Sequence, residues 1–337
     1  MVFDTSIKEL ITAAFNDEKD VFLKNEFPVI NELYFDNVKT AVFLPGSFYG
    51  GKDFPFSDYL KGATFTDYLT SNDNIVSDIR FMGEASFREY LHKNKFKRLI
   101  VLFAECADTG EYGYREALRW IGEFRAENDS FCQVVAFFSP VETDFEYYLT
   151  AFSCREVIFA GENTLPDIKV FEAVSPAAKF YYTASVAEKY AYKKVCVYFN
   201  SRTEASDFGR FLMKRGTSYL YFDGSLAVDE KKKVLNEYIE GKVSILIATK
   251  AFITETLFFY SDICIFCGVP FSLSHLYRSS LAAENSRLHI IFCEEDIERN
   301  EKISRSFAAV TNLQEVYEKR QNRLFDIKKL ISDIEKE

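Results

Sequence analysis

Glycine is scarce in this sequence, with 14 in 337 residues, roughly 60% of the usual share. Loops that bring backbone close to a phosphate depend on glycine, so the shortage argues against a chain built around such loops. Positive charge is also short, 41 Lys plus Arg against 51 Asp plus Glu for a net of -10, which disfavours a polyanionic partner. No apolar run approaches the ~18 residues of a membrane-spanning helix. The start MVFDTSIKEL lacks a basic stretch followed by an apolar one, so the expectation is a soluble, cytoplasmic protein with no membrane partner. The three histidines, His92, His275 and His289, are dispersed, and no Gly-x-Ser-x-Gly occurs, which removes a hydrolase triad. Seven cysteines, an odd number set mostly in apolar stretches, read as reduced core thiols. Cys264 and Cys267 form a C-x-x-C inside DICIFC. A spacing of three along a strand sends the thiols to opposite faces, so packing is expected there and no metal.

What the chain has in abundance is aromatic and apolar material: 35 Phe, 20 Tyr and 48% hydrophobic residues, enough to close two cores. Short apolar runs alternate with helical spacing. Val21 to Leu23, Thr40 to Leu44, Arg98 to Phe103 and Gln133 to Phe138 read as strands, and Ile7-Ile11-Phe15 and Leu118-Ile121-Phe124 as helix faces. The second half repeats the plan at Val195 to Phe199, Ser218 to Phe222, Ser244 to Ala248, Asp262 to Cys267 and His289 to Cys293. This alternation predicts an α/β protein of two parallel-sheet domains wrapped by helices. The pattern breaks around 161–178, near Pro166 and Pro176, giving expected domains of 1–168 and 169–300. Residues 301–337 carry Leu313, Tyr317, Leu324, Ile327, Ile331 and Ile334 at 4-3 spacing, with Arg320 as the polar exception. That stripe predicts an amphipathic helix, packed on its own domains or docking a partner through Leu324, Ile327, Ile331 and Ile334.

From Lys194 onward the order of features resembles the second RecA-like domain of superfamily 2 helicases, the RecQ family in particular. VCVYFNSRTEASDFGRFLMKRG is similar to that family's strand, Ser-Arg turn and helix, with Ser201 and Arg202 at the turn. YLYFDGSLAVDEKKKVLNEYIEGKVSILIATKAF resembles the next strand, loop, charged helix and Ala-Thr-x-Ala-Phe motif. CGVPFSLSHLYRSS and HIIFCEEDIERN look like the closing passages. In the first half, LFAECADTGEYGYREALRW is similar to the Asp-Glu-Ala-His segment with its aromatic loop, and QVVAFFSPV stands where Ala-Leu-Thr-Ala-Thr-Ala is expected. The resemblance implies two RecA-like domains over roughly residues 1–300.

The chemistry the resemblance implies is missing its reagents. Phosphate binding in such a loop needs glycines, a lysine and a magnesium-holding hydroxyl; the aligned NEFPVINE has no glycine and puts Asn31 where the lysine belongs and Glu32 at the hydroxyl. Ile7 replaces an adenine-reading glutamine. The metal-linked aspartate has become Ala104, leaving Glu105 alone, and the two arginines that stabilise transferring phosphate fall on Ala282 and Asn285. The expectation is a non-enzymatic helicase-like fold without cofactors, serving as an interaction or assembly module with another protein. An alternative is ATP-independent binding of single-stranded nucleic acid by the remnant cleft, through Ser201, Arg202, Thr249, Lys231 and Lys232. The basic runs Lys93 to Arg98 and Lys231 to Lys233 read mainly as solvated faces.

Overall fold

The computed structural model describes residues 5–24, 38–44, 49–50, 74–105, 114–128, 130–139, 145–161, 168–249, 251–252, 256–257, 261–270, 287–300 and 302. It divides into two compact units: Met1–Phe48 with Phe54–Thr164, and Leu165–Glu337 with Tyr49–Asp53.

The first unit contains α1 (Thr5–Asn16), β1 (Asp20–Lys24) and β2 (Thr40–Leu44). The two-residue strand β3 (Tyr49–Gly50) is grouped with the second unit. After it come β4 (Ile75–Asp78), a short 3-10 turn (Ile79–Gly83), α2 (Ala85–Lys93), β5 (Arg98–Val101), α3 (Tyr114–Ala126), β6 (Gln133–Phe138), α4 (Phe145–Ala151) and β7 (Val157–Ala160). Its six strands lie in the order β4-β2-β5-β6-β1-β7, parallel throughout. Central strands of such a sheet are covered on both faces, so they read as unbroken apolar runs; β2 and β6 are buried along their whole length. The phenylalanine wealth fills this core. Phe22 has the rings of Phe138, Phe145, Phe152 and Phe159 within 6 Å, mostly tilted or edge-on, the arrangement aromatic quadrupoles prefer. Arg98, expected on a solvated face, is instead fully buried: its Nε donates to Gln133 Oε1 at 3.0 Å, and its guanidinium lies 5.5 Å over Phe15. The core also takes the base of β1. There Asp20 accepts from the Val134 N–H at 2.7 Å and receives Arg125 at 2.8 and 2.9 Å.

The second unit runs β8 (Ile168–Glu172), α5 (Pro176–Lys189), β9 (Val195–Phe199), α6 (Arg202–Lys214), β10 (Leu220–Phe222), α7 (Val228–Ile239), β11 (Ile245–Thr249), β12 (Thr256–Leu257), β13 (Ile263–Cys267) and β14 (Arg287–Phe292), with residues 294–300 helical. The sheet order is β10-β11-β9-β13-β14-β8, again parallel. β12 pairs with β3 in a separate short ladder. Helices α5 and α6 bring Ala184, Ala187, Phe208 and Leu212 onto one face, against Val195, Val197, Ile265 and Ile291. On the other face Tyr238 of α7 is buried and donates to Ser261 Oγ at 2.7 Å. Cys267 belongs to the first face and Cys264 lies on the second, so the C-x-x-C pair diverges as its spacing predicts. The six described cysteines are free, and no group among the described residues could hold a metal ion.

Strands β4, β7 and β8 have no counterpart in the sequence reading, and β8 falls inside the stretch read as the join. All three are sheet edges. IVSD is only half apolar although all four residues are buried, IKVFE alternates apolar with charged residues, and VIFA is an apolar run of only four. Among the described residues no helix is long and apolar enough to cross a membrane. The amphipathic stripe at Leu324, Ile327, Ile331 and Ile334 lies outside the described residues.

Candidate functional site

In an open parallel sheet, ligands bind outside the carboxyl ends of the strands, where the strand order reverses. In the first unit that place adjoins β1, between strands added toward β4 and the lone β7. The exits of β5 and β6 lie along the same edge. After β5 the chain turns through Phe103, whose φ of 52° is an unfavourable left-handed conformation for a bulky residue. Ala104 and Glu105 follow, and both are fully buried. Glu105 Oε1 accepts from Ser139 Oγ at 2.5 Å, so the surviving carboxylate ties the exit of β5 to the exit of β6. Ser139 was not singled out from the sequence. Its only signal was position, at the end of the strand run in QVVAFFSPV. Asn31 lies outside the described residues.

The second unit gathers the remaining candidates along the carboxyl edge of β9, β11 and β10, but Thr249 and Lys231 are buried there. Ser201 caps α6, its Oγ accepting from the Glu204 N–H at 3.1 Å. Replacing Ser201 with alanine is expected to lower stability by ~1 kcal/mol, measured as a shift in the urea midpoint with the far-UV spectrum otherwise unchanged. Arg202 follows, exposed at the first position of the helix. Thr249 is buried at the end of β11. Lys231 is buried too, its Nζ donating to the Gly224 carbonyl at 3.2 Å and lying 5.8 Å from the Phe222 ring. Lys232 is exposed beside it. Only Arg202 and Lys232 of this set present charge to solvent.

Acidic groups share that edge. Asp223 accepts from the Ser225 hydroxyl at 2.6 Å and its N–H at 2.7 Å. Burial alone would raise its carboxyl, but those bonds, then Tyr221 and the Arg202 charge, hold it below the ordinary aspartate value. Asp229 and Glu230 open α7. Glu230 reaches back to the Ala227 N–H at 3.0 Å.

A second cluster closes the ends of β9, β13 and β14. The Lys179 ammonium of α5 donates to Glu204 Oε1 at 2.5 Å and to both Asp296 oxygens at 2.8 and 2.9 Å. Asp296 also accepts from the Cys293 N–H at 2.9 Å, and Arg299 approaches Glu204 at 3.3 Å. Burial opposes the lysine charge. Cys267, Glu204 and Asp296 favour it, and the balance raises the ammonium above the ordinary lysine value. Since burial pushes the Cys267 thiol up to about 12, the two carboxylates are the counter-charges at neutral pH. No local motif announces this cluster, because Lys179 stands 25 residues from Glu204 and 117 from Asp296. Ala282 and Asn285 lie outside the described residues.

Residues 178–280 match the family model described as the helicase conserved C-terminal domain. No curated protein matches the chain at the level of sequence. Solved structures match over most of it at low identity. The DUF1998 helicase MrfA bound to DNA and AMPPNP is 12% identical, with a TM-score of 0.61, covering 90% of this chain and 50% of that one. The DEAD-box helicase Mss116 bound to ssRNA and UDP-BeF is 13% identical, with a TM-score of 0.65, covering 92% and 73%. The Mycobacterium smegmatis helicase Lhr bound to ssDNA and AMP-PNP is 12% identical, with a TM-score of 0.56, covering 85% and 42%. The chain spans about half the length of the MrfA structures it matches. The fold is therefore the helicase core of two RecA-like, parallel-sheet domains, as the alternation and the resemblance predict.

Proposed function

We propose that this chain is a catalytically inactive, RecQ-like helicase core, acting in the cytoplasm as an interaction or assembly module. The carrying observation is the state of Glu105. One oxygen of its buried carboxylate accepts from Ser139, and the side chain of its neighbour Ala104 offers no oxygen. A magnesium ion bridging phosphate oxygens needs carboxylate or hydroxyl ligands facing the nucleotide; these two residues do not fit that group. The replacements at Asn31, Ala282 and Asn285 agree in direction, each removing a different part of the phosphate machinery.

Isothermal titration of the full chain with ATP and magnesium is expected to give no saturable heat; micromolar binding would overturn the proposal. Single-strand binding along the carboxyl edge of the second sheet is the weaker reading, since Arg202 and Lys232 share that edge with Asp223, Asp229 and Glu230. It would be favoured instead if labelled oligonucleotides bound with an affinity falling steeply in salt.

A further inference from the structure

The outer side of α5 and the adjoining edge strand β8 expose aromatic rings in a contiguous band. Along β8, Lys169 and Phe171 pair with His289 and Ile291 of β14, which sets them on the face that α5 covers, while Glu172 points to the other face. The Phe171 ring lies 4.1 Å from that of Tyr182, and Tyr182 lies 6.2 Å from Tyr181. Phe171 is 39% exposed, Tyr182 42% and Tyr181 55%. Apolar surface gathered in this way marks an interaction site, and tyrosine is enriched at such sites because one ring supplies both apolar area and a polar tip.

The rim of the band is cationic on a chain of net charge -10. Lys169, Lys189 and Lys193 are exposed and have no carboxylate within ion-pair distance among the described residues. Lys189 and Lys193 lie 5.5 and 5.9 Å over the rings of Tyr190 and Tyr192. The nearby acid is already engaged: Arg215 bonds Glu188 at 2.6 and 2.8 Å and holds its carboxyl below the ordinary glutamate value. β8 is also the last strand of its sheet, and no described strand pairs with its outer edge. Among the described residues that outer edge is a template for an added strand.

Single-stranded nucleic acid fits less well. Bases need open ring faces, whereas Phe171 and Tyr182 lean together at 49°, Tyr181 and Tyr182 meet at 83°, and the Arg215 guanidinium sits 5.5 Å over Tyr181. We infer that β8 and α5 form a docking edge for an extended acidic segment of a partner protein. The segment adds alongside β8, placing alternate apolar side chains on Phe171, Tyr181 and Tyr182 and its carboxylates near Lys169 and Lys189. This inference rests on the reading of the chain as an interaction module and specifies the partner's chemistry.

The test pans a phage-displayed random peptide library against the full chain without nucleotide, then titrates the fluorescein-labelled consensus peptide by anisotropy. Enriched sequences are expected to alternate Asp or Glu with apolar residues, and the peptide to protect the amides of 168–172 from hydrogen exchange. Tyr182→Ala and Phe171→Ser are each expected to weaken binding about tenfold or more. Lys169→Glu with Lys189→Glu is expected to remove its salt dependence. Variants are compared only where their circular dichroism and melting match the parent. No enrichment, enrichment of basic sequences, or peptide binding indifferent to every variant overturns the inference. So does oligothymidylate binding lost in Tyr182→Ala, or self-association in sedimentation lost in Phe171→Ser, which would assign the edge to nucleic acid or to a second copy. Nucleotide titration reads different residues, so peptide docking and catalytic inactivity can fail separately.

Discussion

Lys179→Met is expected to destabilise the protein by about 3–5 kcal/mol, the usual cost of stripping a buried ion pair of one partner. Methionine keeps much of the volume but leaves the Asp296 and Glu204 carboxylates facing each other with the central ammonium gone. Glu204 retains Arg299 at 3.3 Å. Asp296 is left with neutral donors such as the Cys293 N–H, so it carries most of the loss. Adding Asp296→Asn should therefore recover a substantial part, because the amide still accepts from Cys293 and removes the stranded charge. Urea unfolding of the two single variants and the double variant checks this; a double variant no better than Lys179→Met would refute the charge argument. The pH dependence has a definite sign. The folded ammonium titrates above the ordinary lysine value of 10.5, so its stabilisation is fully present below about 10.5 and is lost as pH rises through the higher folded value. The gap between parent and Lys179→Met should stay level from neutral pH to about 10 and narrow beyond it.

Arg125→Met is expected to cost a similar ~3–5 kcal/mol in the first unit. The guanidinium bonds both Asp20 oxygens, the Cys132 carbonyl at 2.9 Å and the Phe152 carbonyl at 2.5 Å. Its removal strands a buried carboxylate and two carbonyls from three separate segments. Lysine at 125 should rescue only partly, since an ammonium cannot reproduce the planar bidentate fork. The thiols give an independent readout. Burial pushes Cys132 up to about 12 and Cys154 higher still, so neither should react with iodoacetamide at neutral pH in the parent. Both should become reactive at lower urea in Arg125→Met, and unchanged thiol protection together with an unchanged urea midpoint would remove the guanidinium from its central role.

Both clusters join residues more than a hundred positions apart. The buried strands were legible because residues covered on both faces must be apolar: TAVFL, QVVAFF, VCVYF and ICIFC are such runs. The edge strands IVSD and IKVFE escaped because polar residues interrupt their apolar positions, and IKVFE carries the proposed docking edge. Lysine runs misled for a related reason. A run of charge looks solvated when counted along the chain, yet Arg98 and Lys231 each turn a long side chain inward to a polar acceptor and an aromatic ring.

The sequence alone determined that the chain alternates strand and helix and that Ala104, rather than an acid, follows β5, because apolar periodicity and residue identity are local properties. Only the tertiary structure decided that Glu105 Oε1 accepts from Ser139, that Lys179 meets Asp296 across 117 residues, and that Phe171 and Tyr182 share an exposed edge. Such pairings are made when distant segments pack, and no local pattern encodes which polar groups will be buried together.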